Sequence, residues 1–231
     1  MLMIAWLHKR KGGILMENKR MKLWKKILLV LLAIFILFAI YLVRNFIIIS
    51  NMEKTARQYA NKTNYIANVY SLQSNSVNIV KSYNKDGKYL SLIVNKVNNI
   101  EDTRKLTVYK TDNEGLGIIE SGNEKIAILN NNVIGGIQVV TYGMFGPESG
   151  LNILQKLCLS VISRITTEEC NNKETFLVEM PKGWKIWVDK ENGTLIREIN
   201  GGFVTERSYE FDIVKDEDIA KPDISDCEIQ K

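Results

Sequence analysis

The sequence predicts an α+β, mostly β fold. The expected architecture is a curved antiparallel sheet, a half-barrel wrapped on one amphipathic helix, preceded by one N-terminal transmembrane helix. Three observations lead there. Residues 27–43 run for 17 positions without a charge. Beyond residue 64, short β-prone runs alternate with Gly, Asn and Asp turn residues. Between two groups of such runs, one stretch repeats apolar residues at helical spacing.

The first 26 residues form a basic tail with eight Lys/Arg and one acid. Within it, Lys11-Gly12-Gly13 lies just ahead of Met16, and codons for these residues read as a purine-rich ribosome-binding sequence. Translation is therefore expected to start at Met16, which leaves 1–15 untranslated and removes His8, the one histidine of the chain. Lys (23), Asn (22) and Ile (29) dominate the composition and Arg is scarce (8), the signature of an AT-rich bacterial genome.

Ile27–Val43 consists almost wholly of Leu, Ile, Val, Phe and Ala. At about 1.5 Å per residue such a helix nearly spans a hydrocarbon core of roughly 30 Å, and Phe46–Ile49 extend it into the interface. The run exceeds the hydrophobic core of a cleaved signal peptide and no small-x-small site follows it, so residues 27–49 read as a signal anchor. The positive-inside rule then places the tail in the cytoplasm and residues 50–231 outside, a single-pass protein of the cell membrane.

Residues 50–64 read as a helical stalk, with Asn51 as its N-cap. The outer domain, 65–231, begins with strand-like runs at Tyr65–Leu72, Val77–Tyr83, Tyr89–Val94, Leu106–Thr111, Leu116–Ser121 and Lys125–Asn130. A second group follows at Thr175–Met180, Trp184–Asp189, Leu195–Asn200 and Phe203–Val214. Connectors such as Glu191-Asn192-Gly193 and Asn200-Gly201-Gly202 supply the positive φ of tight hairpins, so consecutive strands are antiparallel neighbours. Alternation in Trp184–Asp189 and Ser208–Ile213 predicts one covered face. The helix is expected near Glu148–Thr166, with Leu151, Leu154, Cys158, Val161, Ile162 and Ile165 on its apolar stripe. The acidic tail 215–231 reads as an extension along the sheet edge.

Cys158, Cys170 and Cys227 are too few and too scattered for a zinc site. They allow one disulfide, with Cys170–Cys227 the favoured pair, or three free thiols. Residues 45–231 carry a net charge of −3, which gives nucleic-acid binding no electrostatic support.

The stretch Gly183-Trp184-Lys185-Ile186-Trp187-Val188-Asp189-Lys190-Glu191-Asn192-Gly193-Thr194-Leu195-Ile196-Arg197 resembles a strand–turn–strand signature of LolA-like and RseB-like domains, found in outer-membrane lipoprotein carriers and envelope sensors. The order of helix, strands, central helix and further strands is similar too. The resemblance implies a sheet closing over helices around an apolar concavity for acyl chains. A membrane tether sets this chain apart from a soluble carrier.

Chemistry is sparse. With His8 outside the domain, Ser-His and Cys-His pairs are excluded, and no Gly-rich phosphate loop precedes a helix. Acidic pairs such as Glu101-Asp102 and Glu168-Glu169 read as solvated surface. No catalytic residue, metal site or cofactor is expected. The expected function is non-enzymatic binding of an acyl chain, lipid or lipoprotein; the alternative is an envelope sensor or assembly protein acting through protein contacts. The candidate cavity residues are Tyr142, Met144 and Phe145 in a Gly-flanked loop, Leu151, Leu154 and Val161 on the helix, and the aromatics Trp184, Trp187, Tyr209 and Phe211.

Overall fold

The computed structural model describes residues 2–73, 76–97, 104–129, 143–146 and 150–230, with side chains from residue 22 onward. It divides into two units, Met1–Ile47 and Ile48–Lys231.

Helix α1 covers Leu2–Tyr59. In the first unit its side chains from Leu23 to Val43 are almost all apolar and outward-facing, and this is the one described helix long and apolar enough to cross a membrane. In the second unit the stretch expected as a stalk is helical to Tyr59. There Ile49, Met52 and Ala56 recur at helical spacing and are buried, while Asn51, Lys54 and Arg57 face out.

The second unit is a mostly β body built on one open, curved, twelve-stranded sheet, with a second short helix. Strands β1 (Tyr65–Gln73), β2 (Ser76–Lys85), β3 (Lys88–Val97), β4 (Arg104–Lys110), β5 (Gly115–Ser121) and β6 (Glu124–Leu129) form one antiparallel meander. Helix α2 (Ile153–Ile162) leads into a second meander of β7 (Arg164–Cys170), β8 (Lys173–Glu179), β9 (Lys185–Asp189), β10 (Leu195–Asn200) and β11 (Phe203–Phe211). The meanders join where β1 pairs with β11, Tyr65 opposite Phe211. Strand β12 (Glu228–Gln230) pairs parallel to β6, the exception to the antiparallel pattern.

Helix α2 is shorter than its sequence pattern suggests. Ile165 and Thr166, expected on the helix, belong to β7, where Ile165 packs in the core beside Val178.

Among the described residues, three larger apolar clusters hold the body together, beside a small one of Tyr89, Val108 and Leu106. The first gathers Ile49 and Met52 of α1 with Phe145, Ile165, Val178, Ile186, Val188 and Leu195. The second gathers Ala67, Cys170, Leu177, Trp187, Ile196 and Tyr209. Consecutive residues of β9 enter different clusters, so this strand is covered on both faces and not on one as its alternation predicts. The third cluster is a row across the sheet, in which Ile66 pairs with Tyr83, Tyr83 with Leu90, Leu90 with Tyr109 and Tyr109 with Leu116.

The C-terminal tail covers that row with Val214, Ile219, Ile224 and Cys227. Asn64 fixes its start, accepting from Val214 N at 2.8 Å and donating to Val214 O at 3.0 Å. Lys85–Asp216 (3.0 Å), Lys221–Glu114 (3.1 Å) and Lys125–Asp226 (2.9 Å) pin its course. The tail thus crosses a sheet face before reaching the β6 edge.

The β9–β10 turn carries a dense set of buried polar contacts. Buried Asp189 accepts from Lys173 Nζ and Asn192 Nδ2, both at 2.9 Å, and from Glu191 N at 2.8 Å. Asn192 Oδ1 in turn accepts from Thr194 N and Oγ1. Gly193 sits at φ +73°, and a Cβ there would lie 2.6 Å from Ala56 N, so the turn docks directly on α1. This is the hairpin whose residues carry the family resemblance, and its acid is structural.

Candidate functional site

Helix α2 is inside out. Asn152 caps it: Asn152 Oδ1 accepts from Gln155 N and Asn152 N donates to Gln155 Oε1, each at 2.9 Å. Its inward face is Lys156, Leu159 and Ser160, where Ser160 Oγ donates to Lys156 O at 2.7 Å and Leu159 packs on the first cluster. Lys156 Nζ reaches buried Glu53 of α1. The outward face is Ile153, Leu154, Leu157, Val161 and Ile162, with Leu154 72% exposed and Ile153 69%. A surface helix ordinarily shows the reverse arrangement. A contiguous exposed apolar face of this kind marks a contact surface.

A second apolar surface lies on the sheet. Along the strands from the tail-covered row, on the same face, Tyr70 pairs with Ile79 and Ile79 with Val94, flanked by Leu72 and Leu92. Tyr70, Leu72, Ile79 and Leu92 are all exposed. Lys81 stands beside them, its Nζ 5.0 Å from the Tyr83 ring. The tail covers one half of this face and leaves the other half open.

The candidate cavity residues fall into separate places. Phe145 is fully buried in the first cluster, with Met144, Leu151 and Trp184 half-buried against it. The Trp184 indole donates to Glu198 Oε1 at 3.1 Å. Leu154 and Val161 point outward from α2. Trp187, Tyr209 and Phe211 belong to the second cluster. Arg197 lies 5.3 Å over the Trp187 ring, and the indole donates to Glu168. Tyr142 lies outside the described residues.

A cleft lined by Asn172, Lys173, Glu174, Asp189, Lys190 and Glu191 sits beside the β9–β10 turn. Four of its five charged side chains are paired, Lys173 with Asp189 and Lys190 with Glu174 at 3.3 Å. All three cysteines are free, the second of the two alternatives, and no Cys170–Cys227 bridge is formed. Burial pushes the Cys170 thiol up, the opposite of what a reactive thiolate needs. Among the described residues, no three His, Cys, Asp or Glu are grouped to hold a metal ion.

The sequence pattern missed the open sheet surface. Its signal was available: Tyr70, Leu72, Val77 and Ile79 are apolar on strands whose alternate positions feed the core.

No family model matches the chain, and no curated protein sequence matches it. Among solved structures, the chain is similar to MucB (TM-score 0.40, 8% identity, covering 75% of this chain and 62% of that one). It is also similar to a chain of the MucA/MucB complex from Pseudomonas aeruginosa (TM-score 0.39, 10% identity, 75% and 61%). A third is MucB in complex with MucA(peri) (TM-score 0.36, 9% identity, 71% and 55%). The chain spans about three-fifths of the length of the first of these.

Proposed function

We propose that this protein is a single-pass membrane protein whose outer domain is a non-enzymatic binding module, acting through contact with another protein of the cell envelope. The observation that carries the reading is the half-open sheet face, where Tyr70, Leu72, Ile79 and Leu92 stand exposed beside a row that the chain's own tail covers. A large exposed apolar patch on a soluble surface is a contact site in search of a cover. Aromatic and aliphatic anchors ringed by charge, here Lys81, Lys105 and Glu206, are the usual composition of such contacts. An acyl chain calls for an enclosed apolar space, whereas the described apolar candidates divide between packed clusters and an outward helix face.

The test is a photo-crosslinking residue at Ile79 in living cells. A single adduct with an envelope protein, lost when Tyr70→Asp and Leu92→Asp are added in a variant that still folds, is the expected result. Absence of any protein adduct, together with a stoichiometric lipid in native mass spectra of the purified protein, would replace this reading with the acyl-chain one.

A further inference from the structure

We propose that the outward face of α2 lies on the membrane surface, making this helix a second, interfacial contact with the bilayer. The inference rests on the reading of residues 27–43 as a membrane span and adds a site to it.

Ile153, Leu154, Leu157, Val161 and Ile162 form one apolar face turned away from the protein. The helix is not displaced or frayed. Its capping box is complete, and Lys156 is tied to Glu53. The exposure therefore belongs to the folded helix, and among the described residues none covers this face.

Chain connectivity identifies the cover. Helix α2 is bonded to Glu53 and packs through Leu159 on the cluster that holds Ile49. Ile49 follows Val43, the last residue of the uncharged run, by six positions. Six residues reach at most about 20 Å when fully extended and about 9 Å when helical. A tether this short limits how far α2 can stand from a bilayer that residues 27–43 span. Lipid also suits the chemistry. An interfacial helix sinks its apolar side about 5–10 Å into the headgroup and acyl boundary and needs no shaped partner. Arg164 follows the helix by two residues, and its side chain is exposed. Lys185, which pairs with Glu179 at 2.9 Å opposite Arg164, and exposed Lys182 add cations at the same end. Such a rim favours anionic headgroups.

Cys158 on the exposed helix is a ready probe site, because Cys170 is buried and Cys227 can be removed as Cys227→Ser. The full chain is labelled there with an environment-sensitive fluorophore and reconstituted in vesicles of phosphatidylcholine and phosphatidylglycerol. The expected result is a blue-shifted emission, loss of quenching by aqueous iodide, and quenching by lipids that carry a nitroxide near the headgroup. A label at Asn123→Cys, on the β5–β6 turn, serves as the reference for a water-exposed position. In a Leu154→Asp, Val161→Asp variant the Cys158 label returns to a water-like emission. If the chain resists carbonate extraction but the Cys158 label stays in water, α2 does not touch the bilayer and this inference fails alone. If the chain is extracted by carbonate, the anchor reading fails and takes this inference with it. Shielding that disappears as protein is diluted in lipid identifies a second copy as the cover, which also overturns it.

Discussion

Glu53 of α1 binds Lys156 of α2 and, at 2.6 Å, Arg57 one turn further along its own helix. Burial alone pushes this carboxyl up, but the two cations outweigh it and hold it below the usual carboxylate range. A depressed folded-state value stabilises the fold above the unfolded value and loses that stabilisation as pH falls through the folded one. Stability is therefore expected to be constant from neutral pH to about 5 and to decline below the ordinary carboxylate value near 4.3. Glu53→Gln lowers stability at neutral pH by about 1–3 kcal/mol, since it leaves Lys156 without its charged partner, and flattens the acid limb. Urea unfolding at a series of pH values reads both effects.

Gly193 is the most constrained glycine described. Its backbone is left-handed, and an added Cβ would meet Ala56 backbone atoms at 2.6 and 2.9 Å. Gly193→Ala combines a left-handed Ala, about 1 kcal/mol, with a clash of the size that costs about 1–3 kcal/mol in packed sites. Gly201→Ala, also left-handed but with open space around it, carries only the first cost. Thermal melts of the two variants are expected to differ clearly, with Gly193→Ala the lower.

Asp189 collects three donors in a buried turn. Asp189→Ala leaves Lys173 and Asn192 without their acceptor and is expected to destabilise by about 1–3 kcal/mol. Lys190→Ala, whose partner Glu174 is exposed, is expected to change stability by less than about 1 kcal/mol. If the two variants melt together, the buried turn does not hold the hairpin.

Removing residues 213–231 takes away Val214, Ile219, Ile224 and Cys227 and bares Tyr109, Leu116 and Ile118. The truncated protein is expected to bind a hydrophobic dye strongly and to aggregate, whereas Lys85→Ala, which breaks only an exposed ion pair, leaves it soluble.

The sheet was legible in the sequence because strands and turns carry separate signals. Every strand that alternates and ends at a Gly, Asn or Asp turn is found, including Leu195–Asn200 to the residue. Strand β7 was not, because Ile162 and Ile165 continue the helical spacing of α2 across its end at Ser163. Strand β12 is three residues long and pairs parallel, so it has neither alternation nor a hairpin turn to announce it. The apolar stripe of α2 was visible, but periodicity shows that a helix has two sides without showing which one the protein uses. Lys156 decided the matter through a partner 103 positions away, beyond the range of any local pattern. The aromatics Trp184 and Trp187 likewise part company only when β9 gains a covered surface on each side.

The seam between β1 and β11 joins positions as far apart as Tyr65 and Phe211, 146 residues. While the chain is being synthesised, the first meander emerges with its β1 border bare and must wait until the second is almost complete. Bare borders of this kind recruit foreign strands. The early half of the molecule is thus most vulnerable during its own biogenesis. Cells that make it slowly, or that lack an escort for the emerging chain, should accumulate tangled precursors well before the finished product shows any weakness.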